Sequence, residues 1–271
     1  MSNVTTSTEQ SYSLSDRVAA YVGREWLIRL ASVATILIIW ELWASRPDVI
    51  TMAPPSEVVY SFIDYMFINQ ELLWAIYAAL QYTVVGYLIA VVMGVFIGFL
   101  IGFWAPARHV INPILDALYV TPLVAFVPLI IIWFGVGTTG KMVFVFLFAF
   151  FEIAVNTSSG VTETPEGLVD AAKVFGADTT DIYTRVHLRH AIPHVFSGLR
   201  LGGGRATRGM VVAELFIAAG ALGQYLVNAG ALFQISKLFA GVAALSILGV
   251  IVISAIRIIE SRLLAYRDVS G

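Results

Sequence analysis

The chain has 271 residues, of which 59% are hydrophobic and only 13% are charged, and its mean hydropathy is +0.85. This composition excludes an ordinary soluble domain and predicts an all-α integral membrane protein. The net charge of −2 gives no reason to expect a nucleic-acid partner, and the absence of cysteine excludes disulfides and thiolate metal sites. The four histidines have no recognisable ligand spacing, so no metal is expected.

The N-terminal segment, residues 1–26, is predicted to form a cytoplasmic tail and an interfacial helix. Its first 13 residues are polar, rich in serine and threonine, and lack the apolar core of a signal peptide, so a disordered tail is expected. Residues 14–29 then carry Asp16, Arg17, Arg24 and Arg29 among apolar residues, which suits a helix lying at the membrane surface. Residues 27–271 are predicted to form the transmembrane domain.

The first span is predicted at residues 27–43, with Glu41 near its outer end. There the carboxylate could reach water or a partner helix. A proline pair follows, and Ser56 is expected to cap an amphipathic helix on the outer side.

The second span, predicted at residues 78–103, carries a small residue at every fourth position. This stripe consists of Gly86, Ala90, Gly94, Gly98 and Gly102. Small residues in register allow two helix backbones to approach closely where lipid provides no hydrophobic drive. The stripe therefore predicts a tight helix-packing face.

A short basic turn at residues 104–109 is expected to lead into a third span at residues 112–134. Three prolines, Pro113, Pro122 and Pro128, interrupt this segment. Proline frees backbone carbonyls and bends a helix. A broken helix is a frequent device for a substrate path, and a purely structural kink is the alternative.

The fourth span is predicted to begin at Lys141 and to hold Glu152 and Asn156 on one face, four residues apart. An intramembrane carboxylate is costly, so it should face the bundle interior or water.

A long polar loop, residues 162–201, follows the fourth span, and it is predicted to contain two short helices. Thr164 can cap the first, whose apolar face comprises Leu168, Ala171, Ala172 and Phe175. Gly176 suits the left-handed residue that ends this helix. Asp178 can cap the second helix, which is expected to end at Pro193.

The remaining chain is predicted to hold a short fifth span at residues 209–220, which contains Glu214, and a sixth span at residues 238–259. The glycine-rich stretch between them, residues 220–234, is expected to be an outer loop or a re-entrant turn. With both termini inside, thirteen of the 16 Lys and Arg residues fall on the inner side; Arg46, Lys141 and Lys237 do not. The positive-inside rule therefore predicts about six spans, cytoplasmic termini and a cytoplasmic two-helix loop.

The two-helix loop resembles a family motif. The matching residues are Asp170, Ala171 and Ala172, then Gly176 after three residues, Val186 after nine more, and finally Leu188. In residue type and spacing they resemble the "EAA" loop of permease subunits of bacterial ABC importers. In that family the loop docks into a groove on the ATP-binding subunit. This sequence departs from the motif at Asp170, Val186 and Arg189, where the family usually has Glu, Ile and Pro. An amphipathic surface helix pair without a docking role is the alternative.

The resemblance extends over nearly all of residues 40–260 and is closest to the nitrate, sulfonate, taurine and bicarbonate branch of these permeases. It implies a type I importer permease fold. It also implies a plasma-membrane complex of two permease copies, two ATP-binding subunits and an extracytoplasmic solute-binding protein. The candidate translocation-path residues are Pro122, Pro128, Glu152, Asn156 and Glu214. Glu152 stands where this branch usually has a proline.

Catalysis by this chain is not expected. The sequence has no G-x-x-x-x-G-K-[ST] phosphate loop and no recognisable pairing of a nucleophile with a base. No cofactor is expected on the chain, and the resemblance places ATP and Mg in the partner subunit. The implied substrate is a small anion such as a sulfonate, nitrate, bicarbonate or carboxylate. The alternatives are an ion-coupled secondary transporter and a channel subunit. A secondary transporter would need paired inverted repeats, and a channel would not need a docking loop.

Overall fold

The computed structural model describes the backbone of residues 14–217 and 220–264, and this part of the chain contains helices and no strand. The predicted all-α fold is confirmed for these residues. The α-helices are α1 (Leu14–Ala44), α2 (Pro55–Ile63), α3 (Glu71–Phe103), α4 (Ala105–Val120), α5 (Val127–Phe134), α6 (Thr138–Thr162), α7 (Glu166–Val174), α8 (Thr179–Asp181), α9 (Leu188–Phe216), α10 (Ala221–Ala231) and α11 (Ile235–Leu264). π-Helical turns cover Asp64–Ile68 and Ile182–His187, and a 3₁₀ turn covers Leu123–Phe126. The expected disordered tail, residues 1–13, and the two chain ends lie outside the described residues.

Several helices are suited to cross a membrane. Among the described residues, three are long and apolar enough alone: Glu71–Phe103, Thr138–Thr162 and Ile235–Ile256. Two bent pairs raise the number to five if each pair is one span. The expected first span lies within α1, and the count of six stays a prediction.

The chain divides into two compact units, residues 1–59 and 60–271. In the first unit, the single helix α1 covers both the expected interfacial segment and the expected first span. The helix continues because residues 24–44 contain neither proline nor glycine.

The start of α2 is held by a side chain from α1. The Glu41 carboxylate accepts hydrogen bonds from the Ser56 amide at 3.0 Å and from the Ser56 hydroxyl at 2.6 Å. The expectation that Ser56 itself caps the helix is wrong, because α2 already begins at Pro55. Glu41 instead supplies the acceptor that the first turn of a helix needs.

In the second unit, α6 packs most extensively on α3 and α9. All five members of the small-residue stripe on α3 are buried. A Cβ atom added at Gly98 would lie 2.5 Å from Cβ of Thr157, and one added at Gly102 would lie 2.6 Å from Cβ of Val161. The α3 and α6 backbones are therefore in direct contact along this face.

The segment expected as a single third span is broken. The chain bends by 97° between α4 and the helical segment Leu123–Phe134. Thr121 has extended backbone angles because the following Pro122 disfavours the helical conformation. The expected basic turn at residues 104–109 is also wrong, since α4 begins at Ala105. The reason is that a proline, here Pro106, is tolerated in the first turn.

The expected break at Pro193 does not occur, because α9 continues through this residue. Neighbouring helices can support the backbone groups that a proline frees, and α9 packs along α6. The expected short fifth span is the C-terminal part of α9. The stretch expected as a loop or re-entrant turn is largely helical, since α10 occupies Ala221–Ala231 and follows α9 after a bend of 41°.

Candidate functional site

The two-helix loop is built around a left-handed glycine. Gly176 has φ of +83°, and the Ala177 amide donates to the Ala172 carbonyl at 3.0 Å. This is the long hydrogen bond of a Schellman motif, which ends a helix and turns the chain sharply. The next helix starts at once, because the Asp178 carboxylate accepts from the Asp181 amide at 2.7 Å. The predicted geometry of both residues is confirmed.

The predicted cap at the start of this loop is wrong. The Thr164 hydroxyl donates to the Val161 carbonyl at 2.9 Å, so it faces the end of α6 rather than the amides of α7. Pro165 lies at the N-cap position of α7, and no side chain caps this helix.

The surface of α7 is apolar and uncovered at its C-terminal end. Val174 and Phe175 are 85% and 91% exposed, and Leu168 and Ala171 are also exposed. Ala172 alone of the predicted apolar face is half-buried. The loop thus presents apolar side chains outward, where the described part of the chain offers nothing to cover them.

The other motif residues flank this surface. Asp170 is exposed, and its carboxylate lies 3.1 Å from Nζ of Lys173, one turn along α7. Such a surface pair contributes little, about 0.3–0.5 kcal/mol, to helix stability. Val186 is half-buried and, with Leu168, lines a cavity of about 330 Å³ between the two helices. Leu188 is exposed at the start of α9.

A larger cavity of about 470 Å³ lies between α6, α9 and α11. We call it the arginine cavity. Its polar lining comprises Glu152, Arg200, Arg205 and Arg208, and its apolar lining includes Leu201, Ile253 and Ile256.

Two side chains from other helices hold Glu152 inside the bundle. Its carboxylate lies 3.0 Å from Nε of Arg205 and accepts a hydrogen bond from the Tyr119 hydroxyl at 3.3 Å. Nη2 of Arg205 donates to the same hydroxyl at 2.9 Å, and the guanidinium carbon lies 5.1 Å from the Tyr119 ring centroid. The buried carboxylate therefore has a counter-charge, as its depth in the bundle requires.

Of the other candidate path residues, Asn156 lies next to Glu152, whereas the two prolines lie away from the arginine cavity. Asn156 is one turn further along α6, and its amide donates to the Glu152 carbonyl at 2.8 Å. Pro122 and Pro128 are exposed at the bend between α4 and α5 and do not line the arginine cavity.

Glu214 belongs to a separate polar cluster. It is fully buried, and Oε2 lies 2.9 Å from Nζ of Lys141, which is 1% exposed. The Tyr82 hydroxyl donates to Oε1 at 2.6 Å, and the Gly223 amide donates to Oε2. Lys141 is thus buried within the bundle, where the Glu214 carboxylate compensates its charge, and its expected place on the outer side of the membrane stays a prediction. The hydrogen-bond partners of Glu214 are Tyr82, Lys141 and Gly223, and Glu214 does not line the arginine cavity.

Sequence reasoning missed several members of these clusters, namely Tyr82, Tyr119, Lys141, Arg205 and Gly223. The two basic residues were recognised only as topological signals. A usable signal was present for the arginine cavity, since Arg200 and Arg208 are eight residues apart, the spacing of two helical turns. No comparable signal links Lys141 to Glu214, which is 73 residues away.

Residues 90–265 match the family described as "Binding-protein-dependent transport system inner membrane component". The chain belongs to this family. It is thus a permease subunit of an ABC transporter, an integral protein of the inner membrane, with the type I permease fold.

Individual relatives carry more specific names. The chain is 30% identical to a Bacillus subtilis protein named as an aliphatic sulfonates transport permease, over 90% of this chain and 88% of the relative. It is 26% identical to a taurine transport system permease protein of Escherichia coli, over 89% and 90%. A nitrate import permease protein of Leptolyngbya laminosa is 26% identical over 84% of each chain. The predicted nitrate, sulfonate and taurine branch is confirmed.

Proposed function

We propose that this permease imports a small anion and is driven by ATP hydrolysis in a separate subunit that docks on the two-helix loop. ATP and Mg bind to that subunit and not to this chain. An extracytoplasmic solute-binding protein delivers the anion, and two permease copies form the path. The names of the sulfonate, taurine and nitrate relatives support the anionic substrate.

The observation that carries the proposal is the exposed apolar end of α7. Val174 and Phe175 lie outside the candidate spans and are almost fully exposed. Burying one such side chain contributes about 1.5–3 kcal/mol, so a groove that accepts both would bind the loop strongly. The Schellman turn at Gly176 holds α7 at a fixed angle to the next helix, which suits a rigid lever between two subunits.

The motif residues around this apolar end have distinct proposed roles. Asp170 lies at the rim, where its carboxylate can leave Lys173 for an arginine or a backbone amide of the partner. Ala171 leaves room for close approach, whereas Ala172, Val186 and Leu188 fix the position of α7 against the following helix. For the path itself, we propose that Glu152 and Asn156 face the substrate and that Pro122 and Pro128 shape the bend. Glu214 supports the outer end of the bundle.

The decisive experiment is transport by the complete complex. The chain is purified with its ATP-binding and solute-binding partners and reconstituted in liposomes, and uptake of labelled taurine and nitrate is measured with ATP inside. We expect uptake that requires ATP and the solute-binding protein. Uptake driven by an ion gradient without ATP would indicate a secondary transporter, and passive flux in both directions would indicate a channel.

Replacement of Gly176 by valine is expected to uncouple transport from ATP hydrolysis while the membrane bundle stays folded. The positive φ of this position strains the backbone of a β-branched residue by about 1–3 kcal/mol. The substitution causes no steric clash, because no atom lies within 4 Å of the added Cβ. The strain therefore acts on the loop angle alone. ATP-driven uptake should fall at least about tenfold, the equivalent of 1.4 kcal/mol, at an unchanged melting temperature.

Gly176→Asn is the matched control, because asparagine tolerates the left-handed region. It should retain most of the uptake. Equal losses in both variants, or wild-type uptake by Gly176→Val, would contradict the proposed role of this turn.

A further inference from the structure

The cavity of about 330 Å³ between the two helices of the loop combines basic and apolar side chains, and we call it the loop cavity. Its apolar lining consists of Leu168 and Val186, and its basic lining consists of Arg185, Arg189 and His190. The two arginines lie four residues apart, about one turn, across the junction between a π-helical turn and α9. This spacing explains why both of them line the same cavity.

The two arginines differ in their partners. Nε of Arg185 lies 3.0 Å from the Asp181 carboxylate. Arg189 is exposed and forms no hydrogen bond or ion pair with any residue that the structure describes. The Arg189 guanidinium is therefore available to an anion from outside the chain, whereas Arg185 already has a weak surface partner.

The loop cavity lies at the level of a membrane surface. Nδ1 of His190 lies 3.0 Å from the Gly160 carbonyl oxygen, and Gly160 belongs to the last turn of α6. Helix α6 is one of the candidate spans, and its 25 residues are about 37 Å long at a rise of 1.5 Å per residue. This length exceeds the hydrocarbon core of roughly 30 Å, so the last turn of α6 reaches the headgroup region.

From this level α9 runs back into the membrane. A Cβ atom added at Gly160 would lie 2.6 Å from Cβ of His194, and one added at Gly209 would lie 2.9 Å from Cβ of Phe148. Residue numbers thus rise along α9 while they fall along α6, so the two helices are antiparallel. Residues that follow the start of α9 therefore lie deeper in the membrane than the loop cavity does.

An apolar strip leads from Arg189 in that direction. Ile192 and Phe196 follow Arg189 by three and seven residues on α9, so they share its face of the helix. Ile192 is exposed and Phe196 is half-buried. The Arg189 guanidinium thus stands at the polar end of an accessible apolar surface.

An anionic phospholipid matches this arrangement. Arginine binds phosphate oxygens through two parallel hydrogen bonds, and basic pockets beside transmembrane helices on the cytoplasmic side bind anionic headgroups. An acyl chain would cover the apolar strip. A carboxylate of a soluble partner would also satisfy Arg189, but it would leave Ile192 and Phe196 uncovered on the membrane side.

We propose that the Arg189 guanidinium binds the phosphate of an anionic phospholipid of the cytoplasmic leaflet, with Arg185 as a second donor. One acyl chain lies along Ile192 and Phe196. Because Leu168 of α7 also lines the loop cavity, the lipid contacts both helices of the loop and holds α7 against the start of α9. This inference rests on the proposed function, which places the loop on the cytoplasmic side.

The test uses the complete complex with its ATP-binding subunit, in phosphatidylcholine nanodiscs that contain a small fraction of a photoactivatable lipid. The probe is phosphatidylglycerol with a diazirine in one acyl chain, and phosphatidylcholine with the same diazirine is the comparison without net charge. Cross-linked peptides are mapped by mass spectrometry. We expect cross-links within residues 188–200 to be about fivefold more abundant with phosphatidylglycerol, the factor expected from one arginine at an anionic membrane surface.

Arg189→Gln should remove this preference while the complex melts as the wild type does, since the side chain is exposed. Arg189→Lys should keep part of the preference, because lysine retains the charge but not the two parallel hydrogen bonds. Lys173→Gln is the matched control. It removes one exposed cation from the same loop without altering the lining of the loop cavity, so it should keep the full preference.

Three cross-linking results would overturn the inference. They are equal cross-linking by the two probes, an unchanged preference in Arg189→Gln, and loss of the phosphatidylglycerol cross-link on addition of inorganic phosphate at constant ionic strength. The last result would indicate a site for the free ion. Dissociation of the ATP-binding subunit from Arg189→Gln in nanodiscs without anionic lipid would also overturn it, because Arg189 would then bind that subunit.

ATP-driven uptake by the same wild-type complex in liposomes separates this inference from the proposed function. Uptake without a charge-dependent cross-link would contradict the lipid site alone. A charge-dependent cross-link that Arg189→Gln removes, without ATP-driven uptake, would support the lipid site and contradict the proposed function.

Discussion

Replacement of Lys141 by methionine is expected to cause one of the largest losses of stability that a single substitution can produce in this protein. The Lys141 ammonium and the Glu214 carboxylate are 1% and 0% exposed. Removing one partner of a buried ion pair leaves the other without compensation, at a cost of about 3–5 kcal/mol. The thermal melting of the purified complex in detergent should register this loss directly.

The loss should extend beyond the pair itself, because the cluster joins four helices. Nζ of Lys141, from α6, also donates to the Gly220 carbonyl at 3.2 Å, just before α10. Tyr82 of α3 and Gly223 of α10 donate to Glu214 of α9. We therefore expect α10 to lose its fixed position, and limited proteolysis should detect new cleavage between α9 and α10.

The double variant Lys141→Met with Glu214→Gln provides the control. It removes both charges, so it should melt closer to the wild type than either single variant does. If the loss of stability in the double variant equals the sum of the losses in the two single variants, the two residues do not interact in the membrane. Wild-type melting of Lys141→Met would contradict the buried pair altogether.

The sequence predicted those features of the fold that depend on local periodicity. The apolar runs gave α3, α6 and α11, and the stripe on α3 was visible because its period of four matches the helix. The effects of proline were predicted only in part. The bend expected in the proline-containing third segment occurs, at 97° beside Pro122, whereas the helix end expected at Pro193 does not occur and α9 stays continuous. The difference lies in the neighbouring helices, and a single sequence does not contain that information.

In the candidate sites, too, local features were predictable and contacts between distant residues were not. The turn at Gly176 and the cap at Asp178 were predictable, since both are set by residues within a few positions of each other. The pairing of Glu152 with Arg205 and that of Lys141 with Glu214 join residues 53 and 73 positions apart. Intramembrane charges predict that some partner exists, but helix packing decides which residue it is.

Replacement of Gly98 by leucine is the second change for which we expect a severe effect, because both backbones of the α3 and α6 pair are involved. The added Cβ would lie 2.5 Å from Cβ of Thr157 and 2.8 Å from the backbone carbonyl oxygen of Ala154. A backbone carbonyl cannot rotate away as a side chain can. The two helices must therefore separate, and overpacking of this kind costs about 1–3 kcal/mol or more.

A graded series tests this mechanism. Gly98→Ala should already lower the melting temperature because the clash occurs at Cβ, and Gly98→Leu should lower it further and reduce assembly with the ATP-binding subunit. Val92→Leu is the control on the same helix, since Val92 is 67% exposed and should tolerate the change. If Gly98→Leu assembles and melts as Val92→Leu does, the stripe does not pack against α6 in the membrane. A loss confined to Gly98→Leu, with Gly98→Ala unaffected, would mean that the helices are further apart than the Cβ contact requires.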